Sequence, residues 1–246
     1  MHDTLKTGNP VVLAVETSGR AGSIAVGIGR EVLGVEAFSG PLRHSAELFP
    51  AALRLLNGIG CDFSEIGQVY ISAGPGSFTG VRIAVTLAKT LCLANEQGRT
   101  KIVAVNTMRV IAENAAEYMN QKKMSMNRVA AVLDAKRGRF FVEVFERQND
   151  RWQSILPVCL MRAEEFIHKF SGARQPVWLL GEGLTFYAED FKAPGLQIIE
   201  SDYWQADAQK LYRLGWEMAR AGQFADPVHL VPFYLREPEV KEKARD

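Results

Sequence analysis

One stretch, Val69 to Ala94, constrains this chain more than any other. Val69, Tyr70, Ile71 and Ser72 form a short β-branched and aromatic run, which predicts a buried strand. The run breaks on Gly74, Pro75, Gly76 and Gly80, and a helix is expected from about Val81 to Ala94, free of Gly and Pro. A strand, a glycine loop and a helix make the recipe for an anion cradle, because glycines let backbone approach a ligand and a helix N-terminus offers unpaired N–H groups. The known loops of this type do not fit. A Walker loop needs a lysine that is absent here, and Gly74-x-Gly76-x-x-x-Gly80 is one residue longer than the dinucleotide fingerprint. Ser77 lacks the flanking glycines of a nucleophile elbow. From spacing alone, a plain strand-to-helix turn is the favoured reading.

The helix is apolar on more than one side. Val81, Ala84, Val85, Ala88, Leu91 and Cys92 form one face, and Ile83, Leu87 and Ala94 widen it. Only Arg82, Thr86 and Lys89 remain as a polar stripe. Such a helix is buried on several sides, within one core or against a partner.

The rest of the chain alternates strand and helix signals. Val11–Val15, Ser23–Ile28 and Glu31–Phe38 read as a β-meander whose first turn holds Glu16, Thr17 and Ser18. Those two hydroxyls suit ordinary turn chemistry or a phosphate-facing loop. A helix over Ser45–Asn57 contains Pro50, which should kink it. Ile102–Val105 is a strand, followed by a helix from Thr107 to about Asn120 capped by Asn106. The polar segment Gln121–Asn127 marks a boundary. Strand, acidic end, Gly-containing turn and strand then recur at Arg128–Asp134 and Arg139–Phe145, with a third strand from Trp152 to Leu156. Later elements are a helix over Ala163–Phe170, strands at Val177–Leu180 and Leu196–Glu200, and an amphipathic helix over Ala206–Ala221.

Composition sets few further limits. The 246 residues, 47% apolar with net charge +1, suit a globular protein and supply no global charge for nucleic acid or membrane. Three scattered cysteines fit a reducing, cytoplasmic setting and no disulfide framework. No run approaches the ~20 apolar residues of a membrane span.

Two halves that each open on a meander with an acidic turn resemble the actin–hexokinase–heat-shock-cognate ATPase superfold, an α/β architecture of two lobes with mixed sheets. The expected lobes are residues 1–124 and 125–246, with residues 1–10 a disordered leader and the 206–221 helix able to pack back on the first lobe.

Particular residues narrow the resemblance. Leu13-Ala14-Val15-Glu16-Thr17-Ser18 followed by Ser23-Ile24-Ala25-Val26 resembles the opening of the TsaB (YeaZ) family. His44-Ser45-x-Glu47-Leu48-x-Pro50, the Gly74–Ile83 segment with Ala88-Lys89, and Val132–Gly138 resemble its next signatures. Gly181-Glu182-Gly183 and Tyr234-Leu235-Arg236 match its later landmarks. The likeness runs from about Val11 to Pro238.

That resemblance implies a role in making threonylcarbamoyladenosine in tRNAs that read codons starting with A. The implied partners are a catalytic TsaD-like subunit and a small TsaE-like ATPase, with tRNA met indirectly, while TsaC-type enzymes supply the threonylcarbamoyl-adenylate. TsaD-like sequences hold a metal with two histidines in Val-Asn-His-x-x-x-His. This chain reads Val105-Asn106-Thr107-Met108-Arg109-Val110-Ile111 there. Ile111 cannot ligate a metal and Thr107 is a poor stand-in for imidazole. The implied chain is therefore a non-catalytic subunit with no catalytic or metal residues of its own. Its His44 is expected to cap or pack. Thr17, Ser18, Gly74, Gly76, Ser77 and Gly80 are the nucleotide-like loop residues, and ATP or ADP shared at a subunit interface is the one cofactor the reading allows. Leu48, Ala52, Leu56, Val85, Ala88 and Lys89, on the two apolar helices, are the expected partner contacts, toward TsaD or a second copy. Glu16 and Asp134 could face the cleft. The competing readings are an active ATPase or small-molecule kinase of the same superfold and, as older family labels have it, an M22-type peptidase.

Overall fold

The computed structural model describes residues 8–40, 43–95 and 100–233. The expectations for residues 1–7, for Tyr234-Leu235-Arg236 and for the charged tail lie outside them.

Strands β1 (Val11–Glu16), β2 (Ser23–Ile28) and β3 (Glu31–Ala37) form the antiparallel meander, and α1 (His44–Gly58) follows. Strand β4 (Ile66–Ser72) joins β1 in parallel, α2 (Phe78–Ala94) crosses over, and β5 (Lys101–Val105) adds outside β4. The sheet order is β3-β2-β1-β4-β5. After α3 (Thr107–Ala112) and α4 (Asn114–Lys122), the pattern repeats with β6 (Arg128–Asp134), β7 (Phe140–Gln148), β8 (Arg151–Met161), α5 (Ala163–Phe170), β9 (Val177–Leu180) and β10 (Leu196–Ile198). This second sheet has the order β10-β9-β6-β7-β8. Read from the meander outward, the two five-stranded sheets have one topology, which is that of the two-lobed actin–hexokinase–heat-shock-cognate fold. A last helix, α6, spans Ala208–Arg220.

The strands are apolar because both faces of each sheet are covered. Leu13, Val15, Ile24 and Ile71 of the first sheet meet α1 and α2, while Val12, Ala14, Tyr70 and Val103 meet α6. In the second sheet Val129, Ala131 and Leu133 meet α3 and α4, and Ala130, Val132 and Val142 meet α5. Helices α3 and α4 thus leave the first half to cover the second sheet. Helix α6 returns to the first, where the Ala208 amide donates to Ser23 Oγ at 2.9 Å and the Tyr212 hydroxyl to Gly29 O at 2.9 Å.

Several boundaries differ from expectation. Helix α2 starts earlier, at Phe78, because Ser77 takes the N-cap. The helix expected from Thr107 to Asn120 is two, since Glu113 ends α3 and the Ala116 amide bonds back to the Glu113 carbonyl at shorter spacing. Strands β7 and β8 run longer, joined by Asn149 and Asp150 at φ 50° and 61°, the left-handed conformation of a two-residue hairpin turn. Pro10, expected in the disordered leader, accepts the Gly29 amide at 3.0 Å and packs on Gly67.

Candidate functional site

The glycine loop and the β1–β2 turn come together, as their sequence suggests, but they bind each other. Ser77 caps α2 by accepting the Gly80 amide at 3.3 Å. The Ser77 amide donates to Ser18 O at 2.6 Å, and Thr17 Oγ1 donates to Gly80 O at 2.7 Å. The glycines are required by this contact. A Cβ on Gly76 would lie 2.4 Å from Ser18 O, and one on Gly80 only 1.7 Å from Thr17 O. Gly74, at φ 110°, is covered by Phe233, whose amide donates to Ala73 O at 2.7 Å.

Glu16 closes the same knot. Its carboxylate accepts from the Ser18 amide at 2.7 Å, from Ser18 Oγ at 2.5 Å and from Ser72 Oγ. The side chain is fully buried, and burial pushes its carboxyl above the ordinary range against the pull of those donors. Glu16 therefore does not face an open cleft. Asp134, at the equivalent end of β6, is half-buried and engaged by the Lys136 amide and ammonium, both at 2.7 Å.

The loop pair satisfies most of its own polar groups. The Thr17 and Ser18 hydroxyls are committed to Gly80 and Glu16, and Gly76 and Gly80 are filled by backbone. The Arg20 amide, which points across toward the second sheet, already donates to the Glu182 carboxylate at 3.0 Å. Thr17, Ser18, Ser77 and Gly80 staple the β1–β2 turn to the start of α2.

The sequence marks Glu182 only as part of the Gly181–Gly183 landmark, with no role, and does not single out Glu143. Glu143 is buried on β7 opposite Ala131 and accepts from Asn106 Nδ2 at 2.8 Å; burial raises its carboxyl, with Ser154, Asn106 and Arg109 pulling the other way. The signal was a lone acid inside the apolar run Phe140–Phe145. Thr107 and Ile111 are both buried, and Thr107 Oγ1 has no hydrogen-bond partner. Among the described residues, no group of three His, Cys, Asp or Glu side chains could hold a metal ion. His44 starts α1 and packs, as expected of it: it is 3% exposed and its Nε2 lies 3.1 Å from Gly19 O.

The two apolar helices use both faces. Leu48, Ala52, Leu56, Val85 and Ala88 are buried in the chain's own core, against the first sheet. Ala52, Leu56, Val85 and Ala88 are therefore closed off by the chain's own packing, while Leu48 reaches the base of the groove between the two helices. Lys89, half-buried, donates to Val228 O at 3.4 Å. The outward side is a groove of about 450 Å³ between α1 and α2, lined by Ser45, Phe49, Phe78, Arg82, Ile83 and Thr86, with Leu48 and Leu87 at its base. Phe49 is 54% exposed and Phe78 44%, with the Arg82 guanidinium stacked 3.6 Å from the Phe78 ring. Exposed aromatics bounding a groove mark an interaction surface.

Residues 41–211 match the family model described as TsaD, tRNA N6-adenosine threonylcarbamoyltransferase. The chain is 27% identical to the tRNA threonylcarbamoyladenosine biosynthesis protein TsaB of Bacillus subtilis (strain 168), covering 94% of this chain and 96% of that one. It is 25% identical to the protein of that description from Escherichia coli (strain K12), over 80% and 82%. The chain belongs to the TsaD-related family, in its TsaB (YeaZ) branch. A crystal structure from Pseudomonas aeruginosa, described as an uncharacterized protein with similarity to peptidase YeaZ, matches with TM-score 0.77 at 25% identity, covering 92% of this chain and all of that one. YeaZ from Pseudomonas aeruginosa shares the fold at TM-score 0.74 and 23% identity, over 92% and 100%. Among the described residues of this family member, no helix is long and apolar enough to cross a membrane.

Proposed function

We propose that this chain acts in tRNA threonylcarbamoyladenosine biosynthesis as a non-catalytic subunit that holds a TsaD-like catalytic partner through the α1–α2 groove. Its relatives of the TsaB branch are named for that biosynthesis. The groove is the observation that carries the reading. Its apolar walls stand on the far side of helices whose inner faces already fill the core, so the surplus apolar surface has no use within the monomer. A second copy would use the same groove where the partner is absent. Within this reading residues 1–124 and 125–246 are the two lobes, and a TsaE-like ATPase and tRNA join through the assembled complex.

The absence of chemistry is part of the proposal. Acyl transfer needs a polarised carbonyl and a positioned amine, and in TsaD a metal is expected to supply part of the polarisation. Thr107 and Ile111 offer no imidazole pair for that ion. In the loop pair the Thr17 hydroxyl is bound to Gly80 and the Ser18 hydroxyl to Glu16.

The test is reconstitution on unmodified tRNA with the TsaD-like, TsaE-like and TsaC-like proteins. Omitting this chain should abolish modification, and this chain without the TsaD-like subunit should give none. Full modification without it, or any modification from it alone, would sink the reading.

A further inference from the structure

One peptide group in the β1–β2 turn is held from both ends by different parts of the molecule. The Gly19–Arg20 peptide offers its carbonyl to His44 Nε2 at 3.1 Å and its N–H to the Glu182 carboxylate at 3.0 Å. His44 is the first residue of α1, the helix that walls the groove. Glu182 stands in the turn after β9, in the second sheet.

Both holders are fixed by close packing. A Cβ on Gly22 would fall 2.4 Å from His44 Nδ1, so the imidazole lies flush on that backbone. A Cβ on Gly181 would fall 2.3 Å from Val132 O, and one on Gly183 2.9 Å from Leu133 C, so the turn carrying Glu182 is pressed onto β6. A carbonyl only accepts, so His44 Nε2 carries the proton, and Nδ1 is buried without a partner. The imidazole's single N–H thus goes to Gly19 O.

We propose that the Gly19–Arg20 peptide is an interlobe clasp, gripped by His44 on its carbonyl and by Glu182 on its amide, that couples the first turn of α1 to the second sheet. A hydrogen bond to a peptide carbonyl polarises its N–H and strengthens the bond that the N–H makes. The two grips therefore reinforce each other. His44 and Glu182 act here as positioning residues.

The Arg20 amide is itself the reporter. Hydrogen exchange of this amide, followed by NMR in the full chain, should speed up about tenfold or more in Glu182→Ala, since a bond to a carboxylate is lost. It should speed up about twofold in His44→Ala, although His44 does not touch that amide. In the double variant the two effects should be less than multiplicative. Glu182→Ala should also speed exchange in the first turn of α1. His44→Gln, which can present a side-chain amide near the place of Nε2, should restore protection of Arg20 and serves where His44→Ala folds poorly. Unchanged Arg20 exchange in both His44 variants, fully multiplicative effects in the double variant, or an α1 first turn indifferent to Glu182→Ala would each overturn the clasp.

Discussion

The hydroxyl of Thr17 donates to the carbonyl of Gly80, 63 residues away in sequence, at 2.7 Å. The bond joins the end of β1 to the first turn of α2 and replaces what looks, in sequence, like a ligand loop. Thr17→Val keeps the shape and removes only the donor, so it should cost about 0.5–1.5 kcal/mol. Gly80→Ala pushes a methyl into the Thr17 carbonyl, 1.7 Å from the ideal Cβ, and should cost more, about 2–3 kcal/mol. Urea unfolding of both variants checks the order. A harmless Gly80→Ala would mean that the loop is free to move away from the turn.

The groove makes a prediction of the opposite kind. Phe49 and Thr86 are exposed, so Phe49→Asp and Thr86→Asp should shift monomer stability by only about 0.5 kcal/mol. Each should weaken binding of the TsaD-like partner by about 2 kcal/mol, roughly thirtyfold, if the groove is the docking surface. Leu56→Asp, a few residues along α1 but facing the sheet, should instead place an unpaired charge in the core and unfold the chain. Calorimetric titration beside thermal unfolding separates the cases. Normal partner binding by Phe49→Asp and Thr86→Asp would move the docking surface elsewhere.

How much the sequence reveals differs between fold and site for a physical reason. The doubled architecture is readable because apolar runs, turn residues and acidic strand ends recur in order from Val11 and from Arg128. The excess apolar character of α1 and α2 is readable too, as composition. Which face of each helix turns outward is set by long-range packing, so Leu56 and Ala88 could be read as surface when they are core. The loop residues were legible as a group that meets, but not as a group that satisfies itself. Gly80 is a glycine because of Thr17, and no local spacing shows that. Glu182 and Arg20 meet across 162 positions, beyond any local pattern.

Helix α6 offers a test in which intrinsic propensity and packing disagree. In an exposed helix, Gly→Ala at a position such as Gly215 would gain about 1 kcal/mol from propensity. Here a Cβ would meet the Tyr70 ring at 2.4 Å, on the face of the first sheet. Tyr70 is fully buried and stacks edge-on with Tyr212 at 5.7 Å, so it has little room to yield. Gly215→Ala should therefore destabilise, by about 1–3 kcal/mol. A stabilised variant in chemical denaturation would show that α6 sits farther from β4 than this contact requires.

Glu16 sets the direction of a pH effect. Burial raises its folded-state carboxyl above the unfolded value of 4.5, against three hydrogen bonds that pull it down. A raised acid contributes stability that is fully present below the unfolded value and is lost as pH rises through the folded one. On this group's account the fold weakens from about pH 4.5 upward until the folded carboxyl has fully ionised, by at most ~1.4 kcal/mol per pH unit. Glu143 and Glu182 are raised by the same cause and add with the same sign. Glu16→Gln removes the charge while keeping an oxygen for Ser18, and Ser72 Oγ can turn to accept from the new amide. The variant's advantage over the parent should therefore grow as pH rises above 4.5 and level off once the folded carboxyl has ionised. Urea unfolding of the two proteins across that range measures it. Parallel curves would show that the Ser18 and Ser72 bonds offset the burial of Glu16 in full.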